Sequence, residues 1–193
     1  MFVEWLEPVY NLYGGYGYYF FQTGVPDWFV WGVQFVMLLS LLVWYAIDKG
    51  LLRKCIVLLL IDYILIIFGS TVLFREEGSA TGLKLIPLWS YKAIFEGNEQ
   101  LVLENILNVL VFIPIGVLTG ILIGKYNVVK VLFLCLSVSV AIEIGQLVFN
   151  KGYAEVDDII HNSFGGIIGY YLINALLWLS NKIVSHSRQV SFE

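Results

Sequence analysis

Glu143 and Gln146 stand one helical turn apart inside an apolar run, and Asp157, Asp158 and Asn162 open the next run. Asn108 lies within a third run. Two carboxylates in different surroundings can divide the roles of general acid and general base. Glu143 and Asp158 are therefore the candidate catalytic pair. Asn108, Gln146, Asp157 and Asn162 are candidate substrate-binding side chains. Glu143, Asp157 and Asp158 together with amide oxygens are also the donor types a hard divalent cation takes. No Cys/His zinc spacing, phosphate-binding glycine loop, GxSxG or HExxH occurs. Neither a metal nor a cofactor is assigned.

Each of these residues has a structural alternative. An ionisable group in a membrane segment costs roughly 2.5 kcal/mol or more on insertion scales and usually marks a site. A neutral Glu143 bonded to Gln146 or an Asn can instead hold helices together. A carboxylate at Asp157 or Asp158 favours the positive end of a helix dipole, and Asn108 and Asn162 can simply bond between helices. His161 follows Asp157 by one turn and can pair with it or serve as a ligand or base. Asp62 is a lone carboxylate near mid-span and is left unassigned.

The elements that position these groups follow from composition. The 193 residues are 59% hydrophobic and 13% charged, against about 25% charged in soluble domains, with a mean hydropathy of +0.82. So few charges cannot coat a soluble globule, and lipid must solvate much of the surface. Net charge is −4 without a basic block, which excludes tracking of a nucleic-acid backbone. Cys55 and Cys135 lie in apolar runs and read as small core residues.

A helix needs about 20 apolar residues to span the hydrocarbon core. Five segments qualify: Trp28 to Ile47, Cys55 to Phe74, Leu101 to Gly124, Val128 to Phe149, and Val156 to Leu179. The fold class is thus all-α, an integral membrane bundle of about five transmembrane helices. Residues 1–27 form an N-terminal interfacial segment, because the aromatic stretch Tyr10 to Phe21 is short for a sixth span and such rings favour the headgroup level. Residues 28–193 form one transmembrane domain. The longest loop, Arg75 to Gln100, carries an apolar stretch from Leu83 to Trp89 that is expected to return to the membrane surface.

Lys and Arg in short loops mark the cytoplasmic side. Lys49, Arg53, Lys54, Lys125, Lys130, Lys182 and Arg188 fall on one side, and Arg75, Lys84, Lys92 and Lys151 on the other. This places the N-terminus outside and the C-terminus in the cytoplasm. At 1.5 Å per residue, Asn108, Glu143 and Asn162 then lie roughly 9–10 Å below the outer ends of their spans. Spacings of three and four put Asn105, Asn108, Phe112 and Gly116 on one stripe. Ser139, Glu143, Gln146 and Asn150 share a second, and Asp158, Asn162, Gly165 and Gly169 a third. Below the polar layer come Gly116, Gly120 and Gly124 on one helix and Gly165, Gly166 and Gly169 on another. Small residues let backbones approach closely in lipid, so these three spans are expected to form a tight bundle with an outward polar pocket. Pro114 should kink its helix.

Asn108-Val-Leu-Val-Phe112-Ile-Pro114-Ile-Gly116 resembles the N-x-x-x-F-x-P-x-G signature of VanZ-like proteins. Glu143 and Gln146 match that family's E-x-x-Q, and the run from Asp157 through Asn162 to Gly169 matches its D-D-x-x-x-N-x-x-G-G-x-x-G. Ile86-Pro87 is similar to the family's I-P-F-like element. The resemblance covers residues 83–179. Many members carry Gly-Arg shortly after the Gln. This chain has Asn150-Lys151-Gly152-Tyr153, so the contact of that Arg is expected to be absent or taken over by Lys151. His161 stands where the family commonly has an apolar residue, which argues against it as a general catalytic group. The resemblance implies a multi-pass protein of the bacterial plasma membrane, from a family associated with resistance to the glycopeptide teicoplanin. The expected partners are membrane lipids and a lipid-linked envelope molecule or a glycopeptide antibiotic. The expected function is binding, with or without chemical modification, of such an amphipathic molecule. The alternative is a non-enzymatic binder, or a structural membrane protein that alters antibiotic access.

Overall fold

The computed structural model describes residues 51–75 and 81–190, together with Gly32 and Phe35, with side chains as far as residue 185. The interfacial reading of residues 1–27 and all but two residues of the first expected span lie outside the described residues. The protein is an all-α membrane protein. Four of its described helices are long and apolar enough to cross a bilayer: Leu51–Leu73, Gln100–Ile123, Val128–Val148 and Val156–Ser185.

In chain order the elements are α1 (Leu51–Phe68), a π-turn (Gly69–Leu73), β1 (Gly82–Lys84), α2 (Trp89–Phe95), α3 (Gln100–Ile123), α4 (Val128–Val148), β2 (Tyr153–Glu155) and α5 (Val156–Val190). The three site-bearing spans begin within one residue of their expected starts. α5 instead runs eleven residues past Leu179, because the end of the apolar pattern marks the edge of lipid, not the end of helical hydrogen bonding. α4 stops at Val148, and Asn150 takes a left-handed φ of 54°. Asn150 therefore leaves the stripe the sequence assigns it and forms the turn.

α3 and α5 pack backbone to backbone. A Cβ added at Gly165 would collide with the Val109 carbonyl, one at Gly169 with the Ile113 carbonyl, and one at Gly116 with the Gly166 carbonyl. The two helices thus run parallel, each stripe of glycines seated on its partner's peptide groups, as close packing in lipid requires. α4 lies antiparallel to α5, with Cys135 against Gly166 and Ser139 against Asn162. Gly124 departs from the expected packing role. It has open space around its Cα and a φ of 70°, and it ends α3. Tyr170 closes the α3–α4 turn, accepting from the Asn127 N–H at 3.1 Å and donating to the Gly124 carbonyl at 3.2 Å.

α1 joins the bundle by two adaptations of helix geometry. Pro114 has no N–H for the Leu110 carbonyl, which loosens the turn before it. The Tyr63 hydroxyl donates to the neighbouring Val111 carbonyl at 2.9 Å. At the far end, the Phe74 N–H reaches the Gly69 carbonyl at 2.9 Å, widening the turn. Gln146 donates to the carbonyl of Thr71 inside that turn at 3.3 Å.

The glycine seam yields a direct expectation. Gly169→Leu places side-chain atoms where a backbone carbonyl sits, and overpacking of this kind costs about 1–3 kcal/mol or more. The thermal unfolding midpoint of the detergent-solubilised protein should fall well below that of wild type. Val129→Leu, on an exposed face, should leave it unchanged. Equal midpoints for both variants would remove the seam as a determinant of the fold.

Candidate functional site

The polar residues of α3, α4 and α5 meet at the ends of the spans nearest β1 and β2. Asn108 Nδ2 donates to Asp158 Oδ1 at 2.7 Å, joining α3 to α5. Asn162 Nδ2 donates to Ser139 Oγ at 2.8 Å, joining α5 to α4. Ser139 precedes Glu143 by one turn on the buried stripe of α4. Glu143 is only 4% exposed, and its Oε2 accepts the Glu155 N–H at 2.7 Å. Glu143 lies within electrostatic range of Asp158, Glu155 and Arg75. Asp158 senses Glu155, Glu104, Arg75 and Asp157. The spacing rule that places these residues on inward stripes is therefore realised, with five side chains converging from three helices.

Asp157 is 1% exposed and serves a different element from its own helix. Its carboxylate accepts from the Leu88 N–H, from the Ser90 N–H at 2.9 Å and from the Ser90 hydroxyl at 2.6 Å. It thus caps α2 from across the fold. Leu88 cannot cap with its own side chain and takes a left-handed φ of 63°. Asn105 Nδ2 adds a donor to Ser90 Oγ at 3.1 Å. His161 likewise faces α2: its Nε2 lies 2.9 Å from the Tyr91 hydroxyl. No hydrogen bond joins His161 to Asp157 among the described residues: the Asp157 oxygens meet Leu88 and Ser90, and His161 Nε2 meets Tyr91.

β1 pairs in parallel with β2, Gly82 opposite Tyr153, Leu83 opposite Ala154 and Lys84 opposite Glu155. Lys84 Nζ lies 2.8 Å from Glu155 Oε1, 3.7 Å from the centroid of Trp89 and 4.4 Å from that of Tyr153. The ammonium is held by a carboxylate and two π-faces. β1, α2 and β2 together form a cap over the convergent side chains, and Glu155 links them, its backbone bound to Glu143 and its side chain to Lys84.

The sequence reading does not single out Arg75, Lys84, Ser90 or Tyr91. Their partners lie far away in sequence, and no local spacing announces them. The turn after α4, where Lys151 is the expected cation, also receives the Arg75 guanidinium. A Cβ on Gly152 would come within 3.7 Å of it, and Gly152 has a φ of 148°. No group of three or more His, Cys, Asp or Glu side chains arranged to share a metal ion occurs among the described residues. Asp157, one of the three carboxylates considered for a cation, spends its oxygens on α2.

Comparison with known proteins bears on this region. A family model described as VanZ/LLP1 matches residues 35–178, a range that takes in the whole cluster. Protein VanZ of Enterococcus faecium is 32% identical over 85 residues, covering 44% of this chain and 50% of that protein. The chain therefore spans about half the length of this curated relative. No solved structure matches.

The capping role of Asp157 is measurable. In Asp157→Ala the donors of Leu88 and Ser90 lose their acceptor, and an unsatisfied buried donor costs about 1–3 kcal/mol. Amide hydrogen exchange across residues 88–95 should rise roughly 10- to 100-fold while the α3–α5 amides keep their protection. Unchanged exchange in α2 would show that other contacts hold it.

Proposed function

The chain belongs to the VanZ/LLP1 family, and from that premise we propose that it is a bacterial plasma-membrane protein whose intramembrane polar site binds an amphipathic cell-envelope molecule. That molecule is a lipid-linked envelope component or a glycopeptide antibiotic such as teicoplanin, and the cell gains protection from the antibiotic. In this reading the site faces outward and the C-terminus is cytoplasmic. Glu143 and Asp158 act as the acid–base pair, while Asn108, Gln146 and Asn162 orient the ligand. Asp157 fixes α2 over it.

One observation carries the proposal: a nearly dry Glu143 and the Asn108-bonded Asp158 lie beneath a cap, at the level where three spans bring their polar groups together. Structural glue needs no buried carboxylates at this level, since neutral amides join helices without them. The charge inventory gives the ligand a character. Glu104, Glu143, Glu155 and Asp158 are answered nearby by Arg75 and Lys84. A surplus of acceptors suits a ligand rich in hydroxyl or amine donors, as sugars and glycopeptides are. A lipid surface supplies the apolar remainder of an amphipathic molecule.

A non-enzymatic binder is the second reading, favoured by the fact that the cluster is held together by direct hydrogen bonds such as Asn108 to Asp158. Glu143→Gln separates the two. The amide oxygen still accepts the Glu155 N–H, but proton transfer is lost, and a general acid or base contributes about 10²–10⁴-fold to rate. Expressed at wild-type levels in a teicoplanin-susceptible host, the variant should protect no better than empty vector. Full protection would exclude catalysis by Glu143 and leave the binder, and collapse of the protein level would favour the structural role.

Orientation has its own test. An alkaline phosphatase reporter inserted at Gly97 should be active, because the enzyme folds only after export. Activity of a cytosolic reporter at that position would place the site on the inner side.

A further inference from the structure

α2 divides its circumference in three. At about 100° per residue, Ser90, Ala93 and Ile94 occupy one arc, Tyr91 and Phe95 a second, and Lys92 and the C-cap Glu96 a third, with Trp89 under the Lys84 ammonium at the border of the third and the first. The first arc is pinned to the protein, with Ser90 1% exposed and bonded to Asp157 and Asn105. The third is charged and open, with Lys92 and Glu96 3.7 Å apart as a solvent-type i,i+4 pair. The second is apolar and opens outward: Phe95 is 91% exposed, and Tyr91 is 42% exposed with its hydroxyl held at His161. The chain leading into α2 continues that outward surface through Leu85, Ile86 and Leu88, and Ile86 is 74% exposed. Lys84, the cation within this stretch, is turned inward onto Glu155 and Trp89.

A helix bathed in water has no reason to keep an apolar arc apart from a charged one, and a helix buried in protein has no charged arc. A helix lying at the corner where protein, lipid and water meet has all three. In a chain whose long helices cross the bilayer, lipid is the solvent at hand for the second arc. Interfacial elements elsewhere present the same division between an apolar face and a charged face. We propose that the segment Leu85–Phe95 is a lipid-immersed lid. Leu85, Ile86, Leu88 and Phe95 enter the acyl chains at the membrane surface, Tyr91 lends its outer ring edge while its hydroxyl stays on His161, and Lys92 and Glu96 stay at the headgroup–water boundary. The occupant of this face is bilayer lipid. The site beneath the lid is consequently flanked by the membrane, a route by which a membrane-dissolved molecule reaches Glu143 sideways. The lid's lipid contact stands without the reading of Glu143 as an acid–base group, and the two fail separately.

The test uses the full-length protein with Cys55→Ala, since Cys135 is buried, reconstituted in nanodiscs of phosphatidylglycerol and phosphatidylcholine. Nitroxide labels are placed singly through Ile86→Cys, Phe95→Cys and Lys92→Cys. Collision with dissolved oxygen, which concentrates in lipid, is compared with collision with a water-soluble nickel chelate. The oxygen-to-nickel ratio should be severalfold higher at 86 and 95 than at 92. Nickel access at 86 and 95 equal to that at 92 would overturn the lid's immersion. Shielding of both labels from both reagents would overturn it too, because another segment of the chain or a second copy would then cover the face. A photo-crosslinking phenylalanine analogue at position 95 gives a second readout that needs no cysteine. Lipid adducts are expected, and protein–protein adducts in their place would contradict the proposal.

Discussion

Close approach of α3 and α5 is the constraint from which the rest of the described fold follows. In lipid no hydrophobic drive pulls helices together, so association depends on packing and on interhelical hydrogen bonds. Gly116, Gly165 and Gly169 each seat a bare Cα on the partner's carbonyls, which fixes both separation and register. That register sets Asn108 opposite Asp158. It also turns Asn162 toward α4, where the Ser139 hydroxyl oxygen accepts its hydrogen bond. A slip of one turn along the seam would move every one of these pairs by about 5.4 Å and strand their polar atoms away from water. Packing and polar satisfaction thus select the same arrangement.

The cap is built on a different economy. α2 has seven residues, far too few to be stable alone, and β1 and β2 have three each. None of them would persist without the bundle. What holds them is a set of polar pins rooted in the spans: Asp157 and His161 from α5, Asn105 from α3, and Glu143 through the Glu155 backbone. Each pin ends in a buried or half-buried group, where the loss of a partner costs most. The cap therefore folds as a consequence of the site, and the site stays dry as a consequence of the cap.

The long spans and the stripes they carry were legible in the sequence, since hydrophobic length and a three-to-four spacing are local properties. Asn108, Glu143, Asp158 and Asn162 could be set on inward faces for that reason. The partners could not be read. Lys84 meets Glu155 across 71 residues and Ser90 meets Asp157 across 67, and nothing in the intervening composition encodes such pairings. Parallel pairing of β1 with β2 was invisible too, because a three-residue strand is below the length at which alternation can be recognised. Gly124 and Asn150 show the limit of a stripe. Both fit the periodicity, yet each takes a positive φ at a helix end, so helix termination overrode the pattern.

Asp157 and Asp158 show how neighbouring, identical side chains acquire separate duties. Adjacent residues on a helix diverge by about 100°, so one carboxylate turns to α2 and the other to α3. A carboxylate offers roughly four acceptor positions. Asp157 meets three donors from the α2 end and has little capacity left. Asp158 meets Asn108, and Glu143 meets one backbone N–H. Those two keep acceptor positions that no donor among the described residues fills. The distinction rests on geometry that the sequence Asp-Asp cannot express, and it depends on α2 being where it is. The residue that keeps α2 in place therefore also keeps the cap over Glu143 and Asp158.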